Sequence, residues 1–432
     1  MDAVRGSFFF YPPCANVCHF SRIAHPLTDS RLYGRTFAFA FMSQVGFVLS
    51  NTMLTHYARW ITFLGGNDVD VGWVMGAGAA ISLIARPWIG QWIDQFGARQ
   101  MWLVGYLLFG VGTISNLLLE ELQALIYVCR SINMLGAAFV FSSSLAYITH
   151  FAPAERRTEA IGVLGCGGFL GIILGPSLGE LILTTDRDRT DFLILFLTSS
   201  SSLIVPTLLL LSVPDKRATE RSSQFSFLDF ARTGLQHWPG SIGLVQMAFG
   251  VCMAVPFFFM ARLVDELGKT LGSEFQESAV SWFFICYAGW GLTVRLVSRR
   301  MPDRIGRRKV LLAGCATMGC GMVTFSRIDL GNPWLILIES ALICGTGHAL
   351  MFHTGTALFL EHFPSEKRGV GAALALMVMD AGMICGAPLL GVIADRAGYD
   401  SVFLTVASIC FGAGLVYTVA SIPVWRARLK TS

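Results

Sequence analysis

The chain has 432 residues, of which 54% are hydrophobic and 14% carry a formal charge. Its mean hydropathy is +0.60, and this composition excludes an ordinary soluble globular protein. The net charge of +4 is small and gives no reason to expect binding to nucleic acid.

Stretches of bilayer-spanning length follow one another along the chain. Seven contain no charged residue and lie at 36–55, 101–119, 160–179, 192–213, 239–261, 310–326 and 401–425. Five more hold one to three ionisable residues each, near 71–92, 122–148, 276–298, 333–360 and 369–394. Because a transmembrane helix needs about 20 predominantly apolar residues, the sequence predicts an all-α membrane protein with twelve transmembrane helices.

Basic residues predict the orientation of these spans. An even number of spans puts both termini on one side. That side then carries 22 of the 32 Lys and Arg in its tails and connectors, against seven on the other side. Cytoplasmic segments carry an excess of Lys and Arg, so both termini are predicted to be cytoplasmic. We predict an integral multi-pass protein of the cell (inner or plasma) membrane.

Cysteine usage gives little reason to expect a metal site. Nine of the eleven cysteines lie in or at the edges of apolar spans, where cysteine usually acts as a small hydrophobe. Cys14 and Cys18 lie together in an aqueous tail, but their spacing alone indicates a metal site only weakly. We predict no metal or cofactor, and no ATP-binding segment is visible, so any transport would be driven by a gradient.

A charged turn occurs twice, and its two aspartates, Asp94 and Asp303, are 209 residues apart. The candidate gating residues are Gly90, Asp94, Gly97 and Arg99 in the first copy and Asp303, Arg304, Gly306, Arg307 and Arg308 in the second. Such charges are excluded from hydrocarbon, so each copy is predicted to be a short connector at the membrane surface. The recurrence indicates a duplicated unit.

Other features recur at a similar displacement. Arg86 and Arg295 are also 209 residues apart, and the Gly-Pro-containing run at 175–179 returns at 386–391. We predict an N-terminal tail at 1–33, a six-helix bundle at 34–213, a linker at 214–238, a second six-helix bundle at 239–425 and a C-terminal tail at 426–432. The linker forms either a short helix in the membrane interface or an irregular tether. A parallel duplication of six spans is a known plan of transporters, with the substrate path between the halves.

These features make the chain resemble the major facilitator superfamily over nearly everything after the N-terminal tail. The second turn fits the family's signature Gly-x-x-x-Asp-Arg-x-Gly-Arg-Arg, except that Arg299 replaces the leading glycine. The first turn has Gln95 and Ala98 where the family prefers basic residues. The resemblance implies two six-helix bundles related by a pseudo-twofold axis.

The fifth span carries a glycine at every fourth residue from 167 to 179. Small residues at this spacing let two membrane helices approach closely, and a proline within the stripe bends the helix. By resemblance, the family's antiporter signature falls on Gly162, Gly171, Gly175, Pro176 and Gly179, with Glu180 in place of its last glycine. That signature implies export against a proton gradient. A tightly packed, bent helix with no bearing on direction is the alternative.

Three ionisable residues within spans are candidates for proton coupling or for the cavity. Arg130 costs roughly 2.5–3.5 kcal/mol to insert, and the resemblance implies a role in proton transfer. The alternative is an arginine that snorkels to the outer surface. Asp380 has no basic residue within a helical turn, so its partner must come from another helix. It is predicted to be the coupling carboxylate, or else to hold two helices in register.

Several further polar residues are weaker candidates. Glu339, the third of these ionisable residues, and Glu180 lie near span ends, where water is the expected partner. His348 and His353 are five residues apart and do not share a helical face, so they make a poor metal pair. Gln44, Asn51 and Gln246 would contact either the substrate or a neighbouring helix.

The resemblance also gives the aspartates of the two turns a mechanical role. Asp94 would dock at the start of the eleventh span, near Arg368 and Gly369, and Asp303 at the start of the fifth span, near Arg157. A helix N-terminus stabilises a carboxylate by about 0.3–1 kcal/mol. Such latches would close the cytoplasmic side when the protein faces outward. A solvated loop would explain the arginines but not the aspartates.

The sequence therefore predicts a secondary transporter, a monomer in the lipid bilayer, that works by alternating access. The predicted activity is proton-coupled efflux of a small organic molecule. The alternatives are a proton-coupled importer of a sugar or organic acid, and a transporter-like sensor that binds a ligand without moving it. No nucleophile, base or metal cluster indicates an enzyme.

Overall fold

The computed structural model of the protein describes residues 33–151, 157–183, 187–214, 226–298, 301–328, 331–364 and 367–429. Within these ranges, ten helical stretches are long and apolar enough to cross a membrane. The last is 52 residues long and is interrupted at Gly398, where φ is 78°, so it crosses twice. The helix Arg307–Phe325 begins with a run of basic residues and brings the number of spans to the twelve predicted.

The spans form two groups of six in chain order. The first six are α1 (Arg35–Phe63), α2 (Asp68–Phe96), α3 (Ala98–Leu118), α4 (Leu125–Phe151), α5 (Arg157–Ile182) and α6 (Arg189–Leu211). The last six are α7 (Ser241–Leu271), α8 (Ser273–Ser298), α9 (Arg307–Phe325), α10 (Pro333–Leu360), α11 (368–397) and α12 (399–429). The part of the chain that the structure describes contains no strand. The protein is an all-α membrane protein, as predicted.

We call the side of the membrane that holds the start of α1 and the end of α12 the terminal side, and the opposite side the distal side. Two spans are irregular in their distal halves. In α1 a 3₁₀ turn occupies Leu54–His56, and in α7 a π turn occupies Val255–Phe259. Pro256 has no N–H to donate, so the hydrogen-bond ladder of α7 must rearrange around it.

The two charged turns have the same backbone shape. Gly97 ends α2 with φ of 97° and ψ of 144°, and Gly306 precedes α9 with φ of 96° and ψ of 133°. This conformation is open essentially only to glycine. Both glycines were identified from the sequence as turn residues, and the structure confirms that they lie in turns on the terminal side.

The two groups of six meet along two helix pairs, α2 with α11 and α5 with α8. Small residues make the first contact close. A methyl group on Gly72 of α2 would lie 2.5 Å from the carbonyl oxygen of Ala387, and one on Gly76 would lie 3.0 Å from Pro388. Both contacts are in the distal halves of the helices. The distal side is thus tightly packed.

The linker forms a helix, Phe227–Gln236, which is one of the two structures weighed from the sequence. Phe227 stacks on Trp88 of α2 with ring centroids 5.7 Å apart. Nζ of Lys367, just before α11, lies 3.4 Å from the hydroxyl oxygen of Thr233 in the linker helix. The helix therefore touches both groups of spans on the terminal side. Residues 1–32 of the predicted N-terminal tail (1–33), residues 430–432 of the predicted C-terminal tail (426–432) and the linker segment 215–225 lie outside the described residues.

Candidate transport path between the two halves

Asp380 of α11 forms an ion pair with Arg86 of α2. Nε of Arg86 donates to its Oδ2 at 2.6 Å, and the Ser82 hydroxyl lies 3.4 Å from the same oxygen. Both charged side chains are buried, 6% and 8% exposed. The partner of Asp380 comes from another helix, as the absence of nearby basic residues in its own helix required. The pair joins the two halves.

Arg295 is the counterpart of Arg86 in the second half, but its partner differs. Its guanidinium lies over the ring of Phe169 in α5, 5.8 Å from the centroid. Nη2 donates to the main-chain oxygen of Gly162 at 3.3 Å. Within the described ranges, no carboxylate pairs with Arg295.

Helix packing shows that Phe169 occupies the place of Asp380. Gly171 of α5 packs on Val48 of α1, and Gly382 of α11 packs on Gly250 of α7. Gly171 follows Phe169 by two residues, as Gly382 follows Asp380. One half–half contact therefore holds an ion pair where the other holds an arginine on an aromatic ring.

Arg130 of α4 is buried, with 5% of its surface exposed. Its guanidinium lies 4.8 Å from the ring centroid of Tyr57, and Nη1 donates to Oδ1 of Asn133 at 3.1 Å. No atom of the described residues accepts a hydrogen bond from its Nε. The side chain does not reach the surface as a snorkelling arginine would, and its function in proton transfer stays a prediction.

The two glutamates near span ends have different surroundings. Glu180 was expected to face water. Instead it is buried, and its carboxylate accepts from the backbone N–H groups of Val280 at 3.2 Å and Ser281 at 2.6 Å in α8. This expectation was wrong because the distal ends of α5 and α8 are in contact and exclude solvent. Glu339 is exposed on α10, and no described side chain bonds to it.

A group of ion pairs, which sequence analysis did not predict, joins the halves on the distal side. Arg59 of α1 binds Asp265 of α7, with Nη2 2.9 Å from Oδ1. Arg187, in the connector before α6, lies 2.6 Å from the other carboxylate oxygen. Asp68 at the start of α2 binds Arg262 of α7 at 3.0 Å. We call these five residues the distal clasp.

The clasp extends into the core through His56. Nη1 of Arg59 lies 2.8 Å from Nδ1 of His56, whose Nε2 lies 3.0 Å from the main-chain oxygen of Pro176. Within the distal clasp, burial is the main cause that lowers the pKa of the Arg187 guanidinium. The positive charge of Arg59 lowers it further, and the Asp265 carboxylate opposes both effects. No local sequence signal could have paired these residues, since Arg59 and Asp265 are 206 positions apart.

The glycines of the antiporter signature lie mainly against α1. A methyl group on Gly171 would lie 2.6 Å from Val48, and methyl groups on Gly175 and Gly179 would collide with Thr52 and His56. Gly162 has no described atom within 4 Å of the place of a Cβ. The signature therefore produces close packing of α5 on α1 at three of its four glycines.

The side chains of Asp94 and Asp303, and those of Arg157, Arg368 and Gly369, lie outside the described part of the structure. The latches stay predictions. No group of three or more His, Cys, Asp and Glu among the described residues could hold a metal ion.

Comparison with known proteins establishes the family. The family model "Major Facilitator Superfamily" matches residues 33–275 and again 242–428. Multidrug resistance protein 1 of Bacillus subtilis is 25% identical over 390 residues, which cover 84% of this chain and 89% of that protein. The riboflavin transporter RibZ of Clostridioides difficile is 21% identical over 412 residues, covering 82% and 89%.

Solved structures show the same fold. The nucleoside transporter NupG aligns with a TM-score of 0.71 at 12% identity, covering 89% of this chain and 98% of that one. The D-xylose-proton symporter aligns with a TM-score of 0.66 at 16% identity, covering 87% and 96%. The chain belongs to the Major Facilitator Superfamily and is a multi-pass membrane transporter.

Proposed function

We propose that the protein exports a small organic molecule in exchange for protons, by alternating access between its two halves. The observation that carries the coupling is the buried pair of Arg86 and Asp380. Asp380 is a carboxylate that can bind a proton, and it bonds one half to the other. Protonation would remove the charge that holds Arg86, so proton binding and separation of α2 from α11 would be linked.

A closed distal side is compatible with export, and two further features favour that direction. The distal clasp and the close packing of Gly72 and Gly76 join the halves on the distal side. In this arrangement a molecule would enter from the terminal side, which the excess of basic residues makes cytoplasmic. The antiporter signature and the likeness to a multidrug resistance protein favour the same direction. We place the transporter as a monomer in the cell membrane, with both termini cytoplasmic.

The test is transport by purified protein in sealed vesicles with an imposed pH gradient. A panel of fluorescent organic compounds is loaded, and movement is followed with the gradient in either direction. We expect substrate to leave the compartment that corresponds to the cytoplasm when protons enter it. Uptake together with protons would instead make the protein an importer. Binding of a compound with no movement in either gradient would make it a sensor.

A single variant separates coupling from binding. Asp380→Asn should abolish the response of transport to pH while substrate still exchanges across the membrane without a gradient. Glu121→Gln is the control, because Glu121 is an exposed carboxylate in the connector between α3 and α4 and lies outside the spans. If Asp380→Asn retained full pH-driven transport, Asp380 would not be the coupling group.

A further inference from the structure

Arg295 is a cation for which the described part of the protein supplies no counter-ion. It is partly buried in α8, one turn before that helix ends at Ser298. Its polar contact is the neutral carbonyl of Gly162. Among the residues that the structure describes, no Asp or Glu oxygen lies within 4.0 Å of its guanidinium.

The matching position in the other half has a different partner among the described residues. Arg86 occupies the same place in α2 and is neutralised by Asp380. Where α11 carries Asp380, α5 carries Phe169. A charge removed from water is unfavourable unless it is paired. Arg295 is partly removed from water, so an anion from outside the chain would be stabilised beside it.

The guanidinium points between the helices rather than away from them. A methyl group on Gly165 of α5 would lie 2.5 Å from Nη2 of Arg295, so this glycine leaves room for the arginine. The bond to Gly162 and the contact with Phe169 are made to the same helix. The charge therefore lies at the contact between the two halves, next to the proposed path.

Aromatic rings from both halves lie beside this charge. The His348 ring of α10 is 5.3 Å from Phe169, 5.4 Å from Phe249 and 6.1 Å from Phe352 between centroids. Tyr287 of α8 lies 2.6 Å from Nδ1 of His348 and fixes its orientation. The rings are tilted against one another and form an aromatic wall built from α5, α7, α8 and α10.

Two nitrogen atoms near this wall are also unsatisfied within the described part of the structure. Nε2 of His353, on the ring of Phe352, is buried without a hydrogen bond among the described residues, as is the amide nitrogen of Gln246 in α7. An acceptor-rich acidic group is the chemistry that would satisfy such a set.

We propose that the transported molecule is an organic anion with an aromatic body. Its acidic group pairs with Arg295, and its body lies along Phe169, His348 and Phe352. This assignment rests on the proposed transport function, because it takes the space between the halves as the substrate path.

The test is equilibrium binding to the purified protein, measured as the shift in melting temperature and by isothermal titration calorimetry. Three probes share one ring system: naphthalene-1-carboxylate, naphthalene-1-carboxamide and 1-naphthylmethylamine. We expect only the carboxylate to bind and to raise the melting temperature. Equal binding of the carboxylate and the carboxamide would overturn the proposal.

Variants locate the site. Arg295→Gln should weaken binding of naphthalene-1-carboxylate by roughly tenfold to a hundredfold, the range for a hydrogen bond to a charged group. Arg295→Lys should retain part of the affinity, because it keeps the charge but not the planar fork. Arg327→Gln removes the same charge from an exposed loop and should bind normally. Normal binding by Arg295→Gln would overturn the proposal.

A counter-ion introduced at the matching position provides a second test. Phe169→Asp should pair with Arg295 as Asp380 pairs with Arg86, and so abolish anion binding while Arg295 is still present. Phe169→Leu keeps the site cationic and should bind more weakly than the native protein but more tightly than Phe169→Asp. If Phe169→Asp does not fold, the binding of naphthalene-1-carboxylate to Arg295→Gln and Arg295→Lys is the remaining test of the anion site.

Two other outcomes are distinguishable. A phospholipid phosphate could supply the anion. In that case phosphatidylglycerol would stabilise the native protein more than phosphatidylcholine, Arg295→Gln would abolish that difference, and the naphthalene probes would have no effect. This result would overturn the proposal. Binding needs no gradient, so selective binding of the carboxylate without pH-driven transport would refute proton coupling and leave the anion site standing.

Discussion

At the scale of single residues, we expect the largest loss of stability when the ion pair of Arg86 and Asp380 is broken. Removing one partner of a buried ion pair leaves an uncompensated charge, at a cost of about 3–5 kcal/mol, whereas removing both leaves none. We expect Arg86→Gln and Asp380→Asn each to lower the melting temperature more than the double variant does. In Arg86→Gln the remaining carboxylate of Asp380 can bind a proton and lose its charge. In Asp380→Asn the remaining arginine cannot lose its charge, so this variant should have the lower melting temperature of the two.

Thermal melts of the purified protein in detergent measure this effect. Glu339→Gln should melt like the native protein, since its carboxylate is exposed and unbonded in the described structure. If the double variant lowered the melting temperature by the sum of the two single decreases, the two groups would not act as a pair.

The signature glycines allow a second residue-scale prediction. An alanine at position 175 would collide with Thr52, whose hydroxyl is bonded to the main-chain oxygen of Gly171 at 2.9 Å. Overpacking of this kind costs about 1–3 kcal/mol, so Gly175→Ala should lower both the melting temperature and the transport rate. Gly162→Ala has room for its methyl group and should retain stability. A loss of transport by Gly162→Ala at unchanged stability would show that this glycine acts in transport itself.

Residue-scale contacts were predictable from the sequence only in part. The need for a partner to Asp380 followed from its isolation within an apolar helix, but Arg86 lies 294 positions away and no local pattern connects the two. Glu180 shows the opposite failure. Its place near a span end suggested water, and the approach of α8, a tertiary contact, determined its surroundings.

At the scale of the element, the two charged turns depend on glycine. Gly97 has φ of 97° and Gly306 has φ of 96°, in a region that costs a residue with a side chain about 1–3 kcal/mol. We expect Gly97→Ala and Gly306→Ala to lower the melting temperature by similar amounts, because the turns have the same shape. Gly110→Ala, in the interior of α3 with free space around it, is the control and should be neutral or slightly stabilising. Unequal losses at the two turns would indicate that they are not equivalent.

The distal clasp gives a prediction about local opening. Asp265→Asn would leave Arg59 and Arg187 without their carboxylate, so the distal ends of α1 and α7 should separate more often. Hydrogen exchange followed by mass spectrometry should then be faster at 54–64 and 260–271 and unchanged in α9. Glu266→Gln removes a carboxylate whose partners lie on its own helix and should not change exchange in α1. Equal protection in the native protein and Asp265→Asn would show that the clasp does not hold the halves.

Span number was predictable because hydropathy depends on length and composition, both of which the sequence contains. Finer helix geometry was not. The 3₁₀ turn of α1 and the π turn of α7 lie inside uniformly apolar stretches, and packing between the halves determines where the hydrogen-bond ladder changes. The linker helix was one of two open alternatives, since its apolar residues are compatible with either structure.

At the scale of the whole molecule, the repeat produces two similar contacts with different chemistry. The α2–α11 contact holds a neutral ion pair, and the α5–α8 contact holds an arginine on an aromatic ring. A duplicated framework can thus assign proton binding to one side and substrate binding to the other. This division of labour combines the proposed coupling by Asp380 with the proposed anion site at Arg295.

Alternating access requires the halves to separate on the distal side in every cycle, and a covalent link across them tests this. The place of a Cβ on Gly76 lies 3.0 Å from the Pro388 side chain, so the variant Gly76→Cys/Pro388→Cys should form a disulfide between α2 and α11. We expect its oxidised form to stop transport in vesicles and a reductant to restore it.

The control links two helices of the same half. The place of a Cβ on Gly105 lies 2.7 Å from Val140, so Gly105→Cys/Val140→Cys should join α3 to α4. Two spans that move as one body keep their contact throughout the cycle, so this link should leave transport intact. Continued transport by the fully cross-linked Gly76→Cys/Pro388→Cys protein would mean that the distal ends of α2 and α11 stay together while substrate crosses. The rocking of one half against the other would then be the wrong mechanism.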